Sequence, residues 1–229
     1  MMFHWTYWLV LPGMLLVFWA QSQVQSTYRR FMQVPSTLGM TGAEVAQAIL
    51  QRMGAAHVGV EMTAGELTDH YDPTAKKVRL SSSIYQSTSL AAAAVAAHEC
   101  GHVLQDQEGY APMHWRASLV PMANLGSQFG PMLVILGVVF TGLGSLSSLF
   151  VNLGIVLFVA ALAFHVVTLP VEFDASRRAL QIIDRLGILQ GTEQRGAKAV
   201  LDAAAWTYVA GALYALLQLI QLWLLSRDR

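Results

Sequence analysis

Charge is scarce in this chain. Of its 229 residues only 12% are charged, and 14 basic side chains balance 14 acidic ones, so the formal net charge is zero. This composition lacks the basic surface that a nucleic-acid-binding protein needs, and we expect no nucleic-acid partner. Cysteine is also nearly absent: Cys100 alone cannot form an internal disulfide, so nothing in the sequence requires an oxidising compartment. The abundant residues are hydrophobic, at 55%, which is typical of a small membrane protein.

Four apolar runs contain no Lys, Arg, Asp or Glu, and they cover residues 3–20, 129–146, 149–169 and 206–225. Each is close to the roughly 20 helical residues that cross about 30 Å of hydrocarbon. The first run has neither a basic segment before it nor a small-residue cleavage site after it, which favours an uncleaved anchor. Ser147 and Ser148 join the second run to the third, and this short connection predicts a tight helical hairpin.

The distribution of basic residues predicts the orientation in the membrane. Twelve of the 14 lie in the two polar segments between the apolar runs, namely Arg29, Arg30, Arg52, Lys76, Lys77, Arg79, Arg116, Arg177, Arg178, Arg185, Arg195 and Lys198. Because Lys and Arg near span ends are retained on the cytoplasmic side, both polar segments should be cytoplasmic. We therefore predict a multi-pass protein of the cell membrane, with its active site on the cytoplasmic side and the bilayer as a partner.

The first polar segment has the pattern of a small α+β domain. Thr41 and Glu44 form a capping box before an amphipathic run, which predicts a short helix. Strand-like stretches follow at residues 58–62 and 77–80, and between them Asp72 and Pro73 are typical turn-forming residues. A small sheet is therefore expected, and an extended substrate could pair with the strand at 77–80. In the second polar segment, a further helix is expected from residue 170 to about residue 187.

An alanine-rich helix is predicted over residues 89–107, and it contains the sequence HECGH. His98 and His102 lie four residues apart and share one helix face, so both imidazoles can bind one zinc ion. Glu99 lies about 100° around the helix, where it can reach a water on that ion as general base. Cys100 faces away and is interpreted as a packing residue. Gly101 indicates that another helix crosses closely at this point.

A catalytic zinc site usually takes a third protein ligand. In one known pattern a glycine three residues after the second histidine ends the helix, but Gln105 occupies that position here and the helix continues. Glu172 is the preferred candidate because it follows the third apolar run, on the same predicted side as the HECGH helix. Other downstream carboxylates stay open at this stage: Asp174, Asp184, Glu193, Asp202 and Asp228.

The segments around the motif resemble a known family. HECGH follows SLAAAAVAA, DHYDPTAKKVRLS precedes it, and LPVEFDASRRAL follows a predicted span. In these stretches the chain is similar to the YugP-type membrane zinc metallopeptidases, within the broader gluzincin group. The resemblance implies an HExxH-dependent peptidase in which the glutamate of VEFDAS, Glu172, is the third ligand. Ser176 stands where such relatives carry an aspartate.

The predicted fold is a mainly α membrane protein with about four transmembrane helices and a small cytoplasmic α+β zincin-like domain. The predicted parts are a transmembrane anchor at 1–21, a zinc-peptidase domain at 22–125, a transmembrane hairpin at 126–170, a cytoplasmic helical segment carrying the third ligand at 171–205, and a transmembrane helix and tail at 206–229.

The predicted function is hydrolysis of a protein or peptide substrate, with zinc held by His98, His102 and Glu172 and with Glu99 as catalytic base. Which residue stabilises the oxyanion stays open among His57, His70, Tyr85, Tyr110 and His114. Two alternatives also stay open. One is an intramembrane zinc protease with Asp202 as third ligand, and the other is a metal-binding membrane scaffold without hydrolysis.

Overall fold

Most of the chain is helical. A computed structural model describes residues 5–227, without the side chain of Leu143. In chain order the elements are α1 (Tyr7–Met32), α2 (Gly42–Arg52), β1 (Gly59–Thr63), β2 (His70–Asp72), β3 (Lys77–Ser81), α3 (Ser82–Tyr85), α4 (Leu90–Gln107), α5 (Ala111–Val139), α6 (Ser145–Arg185) and α7 (Thr192–Arg227). A short 3-10 turn, Thr141–Leu143, precedes α6.

Three of these helices, α5, α6 and α7, are long and apolar enough to cross a membrane. Helix α1 does not meet the same criterion within the described residues, and the first two residues of the expected 3–20 span lie outside them. The helices run further than the sequence indicates, because α6 continues without interruption through Pro170 and α7 begins well before residue 206. Membrane helices tolerate an internal proline when neighbouring groups satisfy the freed backbone carbonyl, so Pro170 is not a helix end here.

The chain divides into two compact units. The apolar unit comprises the described residues 5–20, 111–170 and 207–227, and the polar unit comprises 21–110 and 171–206. In the apolar unit glycines let α5 and α6 approach closely: a Cβ at Gly130 would lie 3.0 Å from the carbonyl oxygen of Gly154. The hydroxyl of Ser147 donates to the carbonyl of Gly137 at 2.7 Å. The connection between α5 and α6 is therefore a tight antiparallel hairpin, as expected. Its predicted position was wrong, because Ser147 and Ser148 lie inside α6 and the connection is at residues 140–144.

The polar unit contains a three-stranded sheet in the order β1-β3-β2. Strand β3 pairs in parallel with β1, where Val60 faces Val78, and antiparallel with β2, where Tyr71 faces Val78. Because β3 pairs on both sides, the expectation that a substrate pairs with residues 77–80 is wrong. Strand β2 was not predicted, since three residues beside turn-forming Asp72 carry almost no strand pattern.

Side-chain hydrogen bonds are present at the helix cap and at the turn that the sequence predicts. The side chain of Thr41 accepts from the backbone N–H of Glu44 at 3.2 Å, and the Glu44 carboxylate accepts from the backbone N–H of Thr41 at 2.7 Å. The predicted capping box at the start of α2 is therefore present. After β2, the Asp72 carboxylate accepts from the backbone N–H groups of Thr74 and Ala75 at 2.9 and 3.0 Å. This turn sets the register of β2 against β3.

Helix α4 lies at the centre of the polar unit, where α2, α3, β2 and β3 pack against it. Its alanines are buried on nearly every side, from Ala91 to Ala94 and at Ala96 and Ala97. Small side chains let neighbouring elements approach from several directions, so this alanine run belongs to a densely packed core. Ser89 caps the first turn by accepting from the backbone N–H of Ala92 at 3.2 Å.

Candidate metal centre

The structure brings His98, His102 and Glu172 together in the polar unit. The two imidazoles lie on one face of α4, with ring centroids 4.8 Å apart and ring planes at 85°. Helix α6 supplies Glu172, whose Oε2 lies 3.3 Å from Nε2 of His98 and 3.7 Å from Nε2 of His102. The potential ligand atoms of the three residues all lie within 4.8 Å of one another.

This donor set fits zinc. Zinc prefers imidazole nitrogen and carboxylate oxygen ligands in tetrahedral geometry, with bonds of about 2.0–2.1 Å, which corresponds to about 3.3 Å between neighbouring ligand atoms. The two distances from Glu172 to the histidines, 3.3 and 3.7 Å, are close to that value. Two imidazoles and one carboxylate also leave a fourth position, as catalytic zinc sites require. The three residues could therefore hold a metal ion.

The sequence of the whole chain supports the same chemistry. A family model described as "Putative neutral zinc metallopeptidase" matches residues 6–227. The chain belongs to this family. It is also 45% identical over 213 residues to a Bacillus subtilis (strain 168) protein named "Putative membrane protease YugP", an alignment that covers 93% of this chain and 92% of the relative. No solved structure matches the chain. The resemblance that the motifs indicate is therefore confirmed, and zinc is the metal that this metallopeptidase family implies.

Close packing of two helices places Glu172 beside the two histidines. A Cβ at Gly101 would overlap the carbonyl oxygen of Ala175 on α6 and lie 3.1 Å from its carbonyl carbon. Only glycine permits this approach, which confirms the expectation that Gly101 makes room for a crossing helix. Glu172 lies three residues before Ala175, so the same contact brings its carboxylate to α4.

Glu99 is adjacent to the cluster and is 5% exposed. Burial raises the pKa of its carboxyl group above the ordinary value, while the nearby imidazoles act to lower it. Negative charge on Glu172 and Asp69 adds to the increase. A raised pKa makes this carboxylate a stronger base, and general acid–base catalysis requires a group that accepts a proton and returns it.

His102 has an electrostatic environment of its own. Burial acts to lower the pKa of its imidazole, but the hydrogen bond and the negative charge of Glu172 outweigh burial, so the pKa is raised overall. Metal binding therefore competes with proton binding at this ring, because an imidazole nitrogen must be unprotonated to bind a metal.

Each imidazole also has a partner at its second nitrogen. Nδ1 of His98 lies 3.2 Å from the hydroxyl of Ser176, and Nδ1 of His102 lies 2.9 Å from Oε1 of Gln105. Ser176 thus offers a hydroxyl as the partner of His98. The HECGH motif predicts no function for Gln105, although its position three residues after His102 places it on the same helix face.

The other candidate residues lie elsewhere. Asp202 pairs with Lys198 at 2.5 Å and is not part of the cluster. Glu193 accepts hydrogen bonds from the backbone and hydroxyl of Thr37. Cys100 is buried and faces the carbonyl of Ala46, as expected for a packing residue. Asp228 lies outside the described residues.

Proposed function

We propose that this protein is a zinc-dependent endopeptidase embedded in the cell membrane, with its site on the cytoplasmic side. One observation supports this most directly. Two imidazoles from α4 and one carboxylate from α6 converge within 4.8 Å, and the buried Glu99 lies next to them. This is the arrangement of a metal-assisted hydrolase, and the family match supports zinc as the metal.

His98, His102 and Glu172 would hold the ion. Zinc bound there would supply Lewis-acid polarisation of a peptide carbonyl and would lower the pKa of a water toward about 7. Glu99 would take a proton from the attacking water and return it to the leaving amine, which needs no other acid in the site. Its burial supports this role, since burial raises the pKa of the carboxyl group above its ordinary value and makes the carboxylate a stronger base.

A groove in the polar unit supports access for a peptide. It has a volume of about 400 Å³, and its walls are residues of α6 and α7, including Phe173, Leu180 and Leu201. Ser176 also lines the groove, and its hydroxyl contacts His98. A substrate side chain in this groove would therefore lie beside the proposed ligands.

Strand β2 is a second element suited to a peptide. Among the described residues it pairs only with β3, so its other edge can accept an extended chain. The hydroxyl of Tyr71 donates to Asp106 at 2.6 Å and ties this strand to α4. Pairing at β2 would place a substrate backbone along the helix that carries the histidines.

The membrane arrangement is part of the proposal. Helices α5, α6 and α7 supply three spans, and we propose the segment 1–21 as a fourth. The basic residues of both polar segments support a cytoplasmic position for residues 22–125 and 171–205, with 126–170 and 206–229 in the membrane.

The test compares three variants of the purified, detergent-solubilised protein. Glu99→Gln should retain one zinc ion, because it leaves the ligands intact, and should lose hydrolysis of fluorescently labelled unfolded casein by about 10²–10⁴-fold. Glu172→Ala should lose the zinc, measured by atomic absorption after dialysis. Asp202→Ala is the matched control for metal binding, and it should retain the zinc because Asp202 pairs with Lys198 and is not part of the cluster.

Each outcome separates the alternatives. Unchanged proteolysis by zinc-loaded Glu99→Gln would refute the proposed role of Glu99 as general base. A wild-type protein that binds zinc but does not hydrolyse casein would favour the metal-binding scaffold. Loss of zinc from Asp202→Ala, with retention by Glu172→Ala, would favour the intramembrane protease in which Asp202 is the ligand.

A further inference from the structure

The side chain of Gln105 is completely buried beside the proposed metal ligands. Its Oε1 lies 2.9 Å from Nδ1 of His102. Its Nε2 donates to the backbone carbonyl of Val171 at 2.8 Å and to Oδ2 of Asp174 at 3.0 Å. Both hydrogens of the amide are therefore used, and its oxygen faces the imidazole.

This arrangement determines which nitrogen of His102 carries the hydrogen. An amide nitrogen only donates, and a carbonyl or carboxylate oxygen only accepts. A flipped Gln105 would place its oxygen against two acceptors, so the amide has one satisfactory orientation. Since Oε1 accepts, Nδ1 of His102 must be the donor. In the neutral ring Nε2 is then unprotonated, and this is the atom that lies near Glu172.

His98 has no comparable constraint. The Ser176 hydroxyl near its Nδ1 can either donate or accept, so it does not select a tautomer. The two histidines therefore differ, although the HExxH pattern makes them equivalent.

Charged groups hold the acceptor for Gln105 in place. Asp174 pairs with both Arg177 and Arg178 on its own helix. Arg178 also pairs at 2.7 Å with Glu108, the residue that caps α4. The carboxylate of Asp174 polarises the amide of Gln105, and a polarised amide oxygen accepts more strongly from Nδ1–H. Such a partner makes the opposite nitrogen a better metal ligand.

We propose that Gln105 and Asp174 are positioning residues that hold His102 in the Nδ1–H tautomer and so prepare Nε2 for zinc. The zinc part of this inference rests on the proposed function, whereas the tautomer part does not. Loss of such a partner to a ligating histidine typically weakens metal binding about 10–100-fold.

The experiment uses full-length protein labelled with ¹⁵N-histidine, metal-free and at alkaline pH, where the ring is neutral. In the wild type the ring ¹⁵N shifts of His102 should show Nδ1–H and a bare Nε2, with His102→Ala identifying the signals. Gln105→Met keeps the approximate volume and removes the acceptor, so both tautomers should appear. Its zinc affinity, measured by competition with a chromophoric chelator, should fall about 10–100-fold.

Two further variants serve as a control for Gln105→Met and as an alternative to it. Ser176→Ala is the matched control, because it removes the partner of His98 and should leave the tautomer of His102 unchanged. Asp174→Asn is a milder change, for use if Gln105→Met does not fold, and it should weaken zinc binding while Gln105 still accepts from Nδ1–H.

The possible failures can be told apart. A single Nδ1–H tautomer in Gln105→Met, or zinc affinity within twofold of the wild type, would overturn this inference. If Asp174→Asn is used instead, unchanged zinc affinity in that variant would also overturn the inference. If His102→Ala bound zinc as tightly as the wild type, the ligand assignment in the proposed function would be wrong instead.

Discussion

The contact between α4 and α6 allows one substitution, Gly101→Ala, to be worked out in detail. The added Cβ would overlap the carbonyl oxygen of Ala175 and lie 3.1 and 3.2 Å from its carbonyl carbon and Cα. All three are backbone atoms, so no side-chain rotation relieves the contact. To restore ordinary contact distances the helices would have to separate by roughly 1 Å.

The expected effect on folding is small, while the effect on the site is large. Alanine is favoured over glycine inside a helix by about 1 kcal/mol, and overpacking costs about 1–3 kcal/mol, so the two contributions largely offset each other. Glu172 is three residues from Ala175 and moves with it. Because misplacement by about 1 Å in a site can cost about 100-fold, Gly101→Ala should fold and bind zinc about 10–100-fold more weakly than the wild type.

The assay is competition for zinc against a chromophoric chelator, with melting followed by circular dichroism. Gly59→Ala is the matched control, because a Cβ there would meet only Cγ of Lys77, at 3.6 Å. It should bind zinc like the wild type. If Gly101→Ala also binds zinc within twofold of the wild type, the close approach of the two helices does not position Glu172 and the reasoning is refuted.

Two other predictions concern the β2–β3 hairpin. The backbone N–H of Ala75 and the guanidinium of Arg79 hold the pKa of Asp72 at about 2, below its ordinary value of about 3.9. Asp72 therefore stabilises the fold above about pH 4 and loses this effect as the pH falls through about 2. Asp72→Asn should melt below the wild type at pH 6 and similarly to it near pH 2, and a pH-independent difference would contradict this. Tyr71→Phe removes the hydrogen bond to Asp106, which is worth about 1 kcal/mol, and should lower the melting temperature by about 2–4 °C; an unchanged melting temperature would contradict it.

Local patterns predicted some elements well, for a physical reason. The capping box of α2 and the helix over residues 89–107 depend on residues close in sequence, so both appear as expected. Strand β2 depends on β3 for its hydrogen bonds, and three residues cannot show a period of two. The extent of α6 was missed because Pro170 suggests a helix end when its neighbours are unknown.

In the candidate site, too, local sequence predicts some residues, while others depend on packing between distant segments. Helical periodicity alone puts His98 and His102 on one face, and the structure has them there. The approach of Glu172 to the histidines depends on packing between segments about 70 residues apart, which helical periodicity does not reveal. Glu172 was predicted from its position after the third apolar run and from the family resemblance. Gln105 was missed because its partners, Val171 and Asp174, are equally distant in sequence.

The contact surface between α4 and α6 contains both the proposed ligands and the residues that position them. The residues that contact α6 are His98, Gly101, His102 and Gln105 of α4 and its capping residue Glu108, and each lies three or four positions from another member of the set. This is the spacing of a helix-packing face, so the HECGH motif, which carries two of the proposed ligands, is also part of the packing surface of α4.

On α6, a stretch of six residues supplies the groups that meet this face. Val171 offers a carbonyl, Glu172 the proposed ligand, Asp174 the acceptor for Gln105, Ala175 the backbone contact, and Ser176 the partner of His98. Rotation of α6 by one residue, about 100°, would displace all five at once. The packing that folds the polar unit and the geometry that would hold zinc are therefore fixed by the same contacts, and neither can change without the other.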